Sequence, residues 1–181
     1  MNKTMKKILA LVVAVASMSA SAQVYLGGSL GVMRNSTEKT TQLTIAPEIG
    51  YSFSSKTALG GAFDYSYNYI DGESLHLVTI NPYFRYTFCR AVEDRLGFFF
   101  DTSVGVGFGS IENYKDTPTV WNIGFKPGIS YSFNEHFSVV AHMGFLGYQG
   151  ANDAAKLWGY SNKFGLDFSS LNLSFGFYYS F

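Results

Sequence analysis

Six ionisable side chains of this 181-residue chain stand in stretches that are otherwise apolar and aromatic: Glu48, Asp64, Arg85, Asp101, Lys126 and His142. All but Asp101 lie directly between two apolar residues. A charge in such surroundings needs a counter-charge or several hydrogen bonds. Three carboxylates, two fixed cations and an imidazole suit three kinds of chemistry. They can close into a salt-bridged set that fills an interior, line a narrow pore whose charges set selectivity, or place a general base beside a nucleophile. His142 is the histidine among them, whereas His136 sits in a short turn and His76 begins a strand beside a loop. No Ser–His–acid arrangement is evident along the chain. There is also no metal-ligand set and no cofactor motif.

The elements that position these groups have a period of two. From Gln42 to Phe53, Leu43, Ile45, Pro47, Ile49, Tyr51 and Phe53 alternate with Gln42, Thr44, Ala46, Glu48, Gly50 and Ser52, which predicts a strand. Equivalent alternation runs through "LVTINPYFRYTF", through Trp121 to Phe133, and through Leu171 to Phe181. Four further strands are predicted between these, over Gln23 to Met33, Thr57 to Tyr69, Leu96 to Gly109 and Phe137 to Leu146. Short connections ("SSK", "NEH", and the somewhat longer "CRAVEDR") alternate with others that run from "IDGES" to the long "YQGANDAAKLWGYSNKFG". No segment has a helical period. Eight strands joined as consecutive hairpins predict an up-and-down meander that closes on itself and leaves no unpaired edge.

One short pattern recurs four times: "PEIGYSF" at Pro47, "PYFRYTF" at Pro82, "PGISYSF" at Pro127 and "FGFYYSF" at Phe175. If every second strand runs the same way, the pairs Tyr51/Phe53, Tyr86/Phe88, Tyr131/Phe133 and Tyr179/Phe181 fall at one level as an aromatic girdle. Pro47, Pro82 and Pro127 resist a strand reading, since proline cannot donate to a ladder. A local bulge or one missing ladder bond per hairpin accommodates them.

Residues 1–22 read as a secretory signal peptide: Lys3, Lys6 and Lys7, an apolar run, then Ala20-Ser21-Ala22. The barrel domain is then 23–181. Without those three lysines, 10 basic residues face 13 acidic ones, and with no basic cluster nucleic acid is not an expected partner. Cys89 is the only cysteine, so no intrachain disulfide is available; it falls in the turn after Phe88. Past residue 22 no apolar run approaches the ~18 residues of a spanning helix.

Size decides which face is inside. An eight-stranded barrel is just wide enough for its own side chains, so the small and polar face of Gly, Ser, Thr, Ala and Asn is the lumen. The bulky apolar face is then outside, which is tolerable in a bilayer. By parity the six ionisable groups point inward. Pairing Phe88 with Leu96 sets Tyr83 opposite Asp101 with Arg85 one diagonal step away. Pairing Phe53 with Thr57 brings Glu48 diagonal to Asp64, and the same rule puts His142 opposite Gly128 with Lys126 diagonal. Lys126 or Arg85 would supply the cation that the two neighbouring carboxylates require.

Over 23–181 the chain resembles the small eight-stranded outer-membrane barrels of the OmpA/OmpX type. The likeness rests on the leader, four hairpins, short turns opposite longer loops, and a last strand ending "SFGFYYSF". It implies location in the outer membrane of a Gram-negative-type bacterium, among lipid and lipopolysaccharide. It also implies recognition by the barrel-assembly machinery through Phe175, Phe177, Tyr179 and Phe181. OmpA has a peptidoglycan-binding domain beyond its barrel, and the expectation here is a barrel without one. "YSNKFG" is similar to the Ser-Asn of lipid A deacylase barrels, but Gly159 stands where those have histidine. The function expected is structural or surface-interacting, with a plugged lumen, no enzyme activity and no cofactor. The alternatives are a narrow porin-like solute channel and, last, a lipid-modifying enzyme. Lys156, Trp158, Tyr160 and Lys163 in the final loop would meet any extracellular ligand or anchor at the interface.

Overall fold

The computed structural model describes residues 23–35, 40–70, 73–111, 115–168 and 173–181. Residues 1–22, expected to be a signal peptide, lie outside them. Ten strands and one short helix follow in order: β1 (Gln23–Asn35), β2 (Thr40–Ser52), β3 (Thr57–Ile70), β4 (Glu73–Ala91), β5 (Leu96–Ile111), β6 (Thr119–Ser132), β7 (Phe137–Met143), β8 (Phe145–Ala151), α1 (Asp153–Lys156), β9 (Lys163–Asp167) and β10 (Leu173–Ser180). The sheet runs β5-β4-β3-β2-β1-β10-β7-β6 and β6 pairs back with β5, every pairing being antiparallel. With β8 continuing β7, and β9 preceding β10 beside it, this is a closed eight-stranded up-and-down barrel.

Alternation decides which side chain goes where. On β4, Leu75, Leu77, Thr79, Asn81, Tyr83 and Thr87 are buried inside while His76, Val78, Ile80, Pro82, Phe84, Tyr86 and Phe88 are exposed outside. β5 repeats this with Phe99, Asp101 and Ser103 inside and Phe100, Val104, Val106 and Phe108 outside. The Tyr-x-Phe repeats sit on the outer face at the end of the barrel that carries the short turns. Edge-on ring pairs form within three of them: Tyr51–Phe53 at 5.0 Å, Tyr131–Phe133 at 5.3 Å and Tyr179–Phe181 at 5.0 Å. In the fourth, Phe88 stacks instead on Phe100 of the next strand at 4.9 Å.

Two short turns use one device. The Ser54 hydroxyl accepts from the backbone N–H of Lys56 and Thr57 at 3.2 and 3.1 Å, and Asn134 Oδ1 accepts from His136 and Phe137 at 2.9 and 2.7 Å. Such side-chain-to-backbone bonds favour turns over continued strand. The third turn holds Val92, Glu93 and Asp94 at φ of 52°, 54° and 64°, a left-handed run that is costly for non-glycine residues. Arg90 ties it down by donating to Ser55 O and Asp94 O.

The prolines are accommodated in the two ways proline allows. All three point outward. The β2–β3 ladder has no pairs between Ile45↔Tyr65 and Glu48↔Ala62, the interval that holds Pro47. The β4–β5 ladder likewise skips from Ile80↔Val106 to Tyr83↔Ser103 around Pro82. Beside Pro127 the partner strand bulges: Gly144, at φ 89°, separates β7 from β8, and pairing moves from Gly128↔His142 to Phe125↔Leu146. That extra residue reverses the alternation, so Phe145 turns inward and is 3% exposed while Leu146 faces out.

Four sequence expectations are corrected. Cys89 lies in β4, exposed, at a register shift between Thr87 and Cys89. That shift and the four-residue turn place Arg85 directly opposite Asp101, and Tyr83 opposite Ser103, because the hairpin closes on Ala91↔Leu96 instead of on Phe88. The long final connection contains helix α1 and strand β9, where no helix was expected. Its Tyr160 packs inward against the apolar cluster of Leu77, Val120, Ala151 and Ala155, since burial of an aromatic ring against that cluster outweighs its exposure at the surface.

Candidate functional site

The lumen is stacked in four layers. At the turn end is a bowl of about 210 Å³, walled by serines including Ser52, Ser130, Ser132 and Ser138, with Lys56, Arg90 and His136 at its rim. Its floor is a plug. Tyr25, Phe99, Val140 and Tyr178 form a buried cluster with Ala58, and Arg85 lies over the Phe99 ring at 4.1 Å. Two glycines make this plug possible. A Cβ on Gly50 would fall 2.1 Å from Tyr25 Cζ, and one on Gly128 would fall 2.3 Å from Phe99 Cζ. Each ring therefore lies over a position on the neighbouring strand that has no side chain.

The polar half of the plug is fully connected. Arg85 donates from Nε and Nη2 to the two oxygens of Asp101 at 2.7 and 2.8 Å. His142 Nε2 bonds Asp101 Oδ2 at 2.8 Å and its Nδ1 faces the Ser174 hydroxyl at 3.4 Å. Glu48 Oε2 accepts from the Tyr178 hydroxyl at 2.6 Å and from the Tyr83 hydroxyl at 3.0 Å, and Tyr83 in turn meets the Tyr25 hydroxyl at 2.9 Å. A bidentate guanidinium–carboxylate pair and phenol-to-carboxylate bonds are strong when water is excluded.

Beyond the plug is a chamber of about 190 Å³ bordered by Glu48, Asp64, Asp101, Lys126, His142 and Ser174 among others. Asn81 donates to Asp64 and accepts from Asn122. The fourth layer is an apolar cap. In α1, Asn152 caps the helix by accepting from Ala155 N–H at 3.0 Å and also accepts from Thr119 N–H at 3.0 Å. This docks Ala154 and Ala155, both buried, into the mouth beside Leu77, Val120 and Ala151. Tyr160 bonds Ser66 and Asn68, and burial pushes its phenol above the ordinary value of 10.0. On the exposed side Lys156 bonds Asp153 at 2.8 Å and holds its carboxyl below the usual range, while Lys163 bonds Asp167 at 2.9 Å.

All six ionisable residues named from the sequence lie on the inner face. The structure joins Arg85, Asp101 and His142 directly. It sets Glu48 and Asp64 side by side on β2 and β3, Glu48 being paired with Ala62, and leaves Lys126 without an ion pair within 4.0 Å among the described residues. Sequence reasoning missed Tyr25, Phe99, Tyr178 and Ser174, and it set Tyr83 against Asp101, whereas Tyr83 bonds Glu48 and Tyr25. Asp101, His142 and Ser174 follow the order of a Ser–His–acid relay. The charge of this acid is already matched by Arg85, however, and the group sits inside the barrel beneath a cap. No cluster of three or more His, Cys, Asp or Glu suited to direct metal coordination occurs among the described residues.

No protein-family model matches the chain, and no curated protein matches it either. Among solved structures it is similar to the crystal structure of neisserial surface protein A (NspA), with 14% identity and a TM-score of 0.44 over 88% of this chain and 92% of that one.

Proposed function

We propose that this chain is an integral outer-membrane barrel whose lumen is plugged and whose role is structural or surface-interacting. One observation carries the reading: the apolar face is outside and the charged face inside. Ile49, Leu59, Phe63, Ile80, Phe84, Phe100, Val104, Ile123, Phe125 and Phe175 are all exposed around the wall. A soluble protein does not sustain so continuous an apolar surface, whereas a bilayer requires it together with backbone bonds closed around a ring. The turns then face the periplasm, the capped mouth faces outward, and the last strand, Phe175, Phe177, Tyr179 and Phe181, is the segment offered to the assembly machinery. Surface interaction falls to Leu157 and Trp158 at the tip of the cap and to lipopolysaccharide around it, Tyr160 being turned inward.

A plugged lumen and a narrow channel differ in one measurement, the conductance of the purified protein in a planar bilayer, with Lys126→Ala alongside. The closed Arg85–Asp101 pair beneath the α1 cap predicts silence from both. Discrete steps that change with the substitution would replace the plug by a channel.

A further inference from the structure

Between plug and cap, the chamber is bordered by three carboxylates, Glu48, Asp64 and Asp101, and by Lys126 and His142, with Arg85 bonded to Asp101 from the plug side. Arg85 and Asp101 cancel. The donors to Glu48 are the phenols Tyr83 and Tyr178, and the donor to Asp64 is the Asn81 amide. These neutral groups solvate a charge without cancelling it. With His142, which bonds Asp101, counted as neutral, Lys126 offsets one of the two carboxylates, so one negative charge is left inside the barrel, where isolated charge is costly. A second, independent observation concerns Ser103. It borders the same chamber, is 2% exposed, and its Oγ has no hydrogen-bond partner. A buried hydroxyl without a partner points to an occupant that the protein alone does not supply. About 190 Å³ is ample for an ion with part of its water shell, since one water needs ~10–15 Å³ on this measure.

We propose that the chamber binds one hydrated alkali cation, held by the carboxylates of Glu48 and Asp64 and the hydroxyl of Ser103. All three are hard oxygen donors, the kind that s-block cations prefer. A single positive charge matches the deficit, whereas a divalent ion would overshoot it. Two carboxylates and one hydroxyl are too few to strip the ion, so water completes its shell. The inference concerns the chamber and holds whether or not the barrel conducts.

The test is thermal unfolding of the purified protein in neutral-detergent micelles. NaCl or KCl is compared with N-methylglucamine chloride at equal ionic strength, for the wild type and for Asp64→Asn. That substitution keeps the side-chain shape and leaves one carboxylate to one ammonium. The expected result is a saturable upward shift of the wild-type midpoint by about 2–4 °C in the alkali salts, absent from Asp64→Asn. Equal midpoints in all three salts would overturn the site and assign neutralisation to a proton. A shift that survives in Asp64→Asn would place the cation elsewhere and overturn the site as well. Saturation by micromolar Ca²⁺ would replace the alkali ion by a divalent one.

Discussion

Removing Asp101 is the sharpest test of how the plug is held. Its carboxylate receives two bonds from Arg85, at 2.7 and 2.8 Å, and one from His142 at 2.8 Å. The two side chains of the pair are only 12% and 3% exposed, so the discount that applies to surface pairs is small. Bonds to charged groups are worth roughly 1.5–3 kcal/mol each, which summed naively exceeds the ~3–5 kcal/mol measured when one partner of a buried pair is removed. The lower end applies here. Arg85 borders the turn-end bowl, from which water can reach a stranded guanidinium, and the Phe99 ring at 4.1 Å still faces it. Asp101→Ala should therefore cost about 3 kcal/mol. In Arg85→Met with Asp101→Leu both charges are gone, and an apolar pair of similar volume is often neutral, so the double variant should stay within about 1 kcal/mol of wild type. The assay is urea unfolding followed by emission of Trp121 and Trp158, completed as a double-mutant cycle. A single-variant cost below about 1 kcal/mol, or a double cost equal to the sum of the singles, would refute a buried, mutually dependent pair.

Gly50→Val drives a methyl into Tyr25, since even a Cβ there stands 2.1 Å from its ring. Overpacking of this kind costs about 1–3 kcal/mol, and loss of the Tyr25–Tyr83 bond should make the bilayer measurement noisy; unchanged stability and silence would contradict the ring's placement. The cap should release at high pH. Burial raises the Tyr160 phenol above 10.0, so its docking stability is complete below the unfolded value and is lost as pH climbs through the folded one. Trp158 emission should report a transition above about pH 10, and Tyr160→Phe should remove it. Cys89 is exposed near the turn end, so an impermeant maleimide should label it only after the outer membrane is permeabilised. Labelling on intact cells would invert the orientation proposed for the barrel.

Which residues face the lumen was legible because the two faces of each strand differ so strongly in chemistry. Gly, Ser and Asp alternate with Phe and Val along most of β5, and that contrast survives any error in pairing. Which lumen residues meet was not legible, because partners across a barrel depend on shear, and shear accumulates every slip of register. One slip at Thr87/Cys89, with a turn held by three left-handed residues, carries Arg85 from a diagonal position to one directly facing Asp101. Nothing in "CRAVEDR" signals that slip. The bulge at Gly144 did leave a trace. Phe145 and Leu146 are adjacent apolar residues that a strict period of two cannot place on the same face, and a glycine immediately before them marks where the phase can break. The plug left a fainter one. Tyrosines at inward positions, Tyr25, Tyr83 and Tyr178, break a lumen face that is otherwise mostly small or charged, and a ring that large needs a glycine beside it on the next strand. Gly50 faces Tyr25 in the β1–β2 ladder and Gly60 faces Tyr83 in the β3–β4 ladder. Inward tyrosine opposite glycine on the neighbouring strand is thus a pattern that sequence can offer, and in this barrel it locates the closed section before any cross-barrel contact is known.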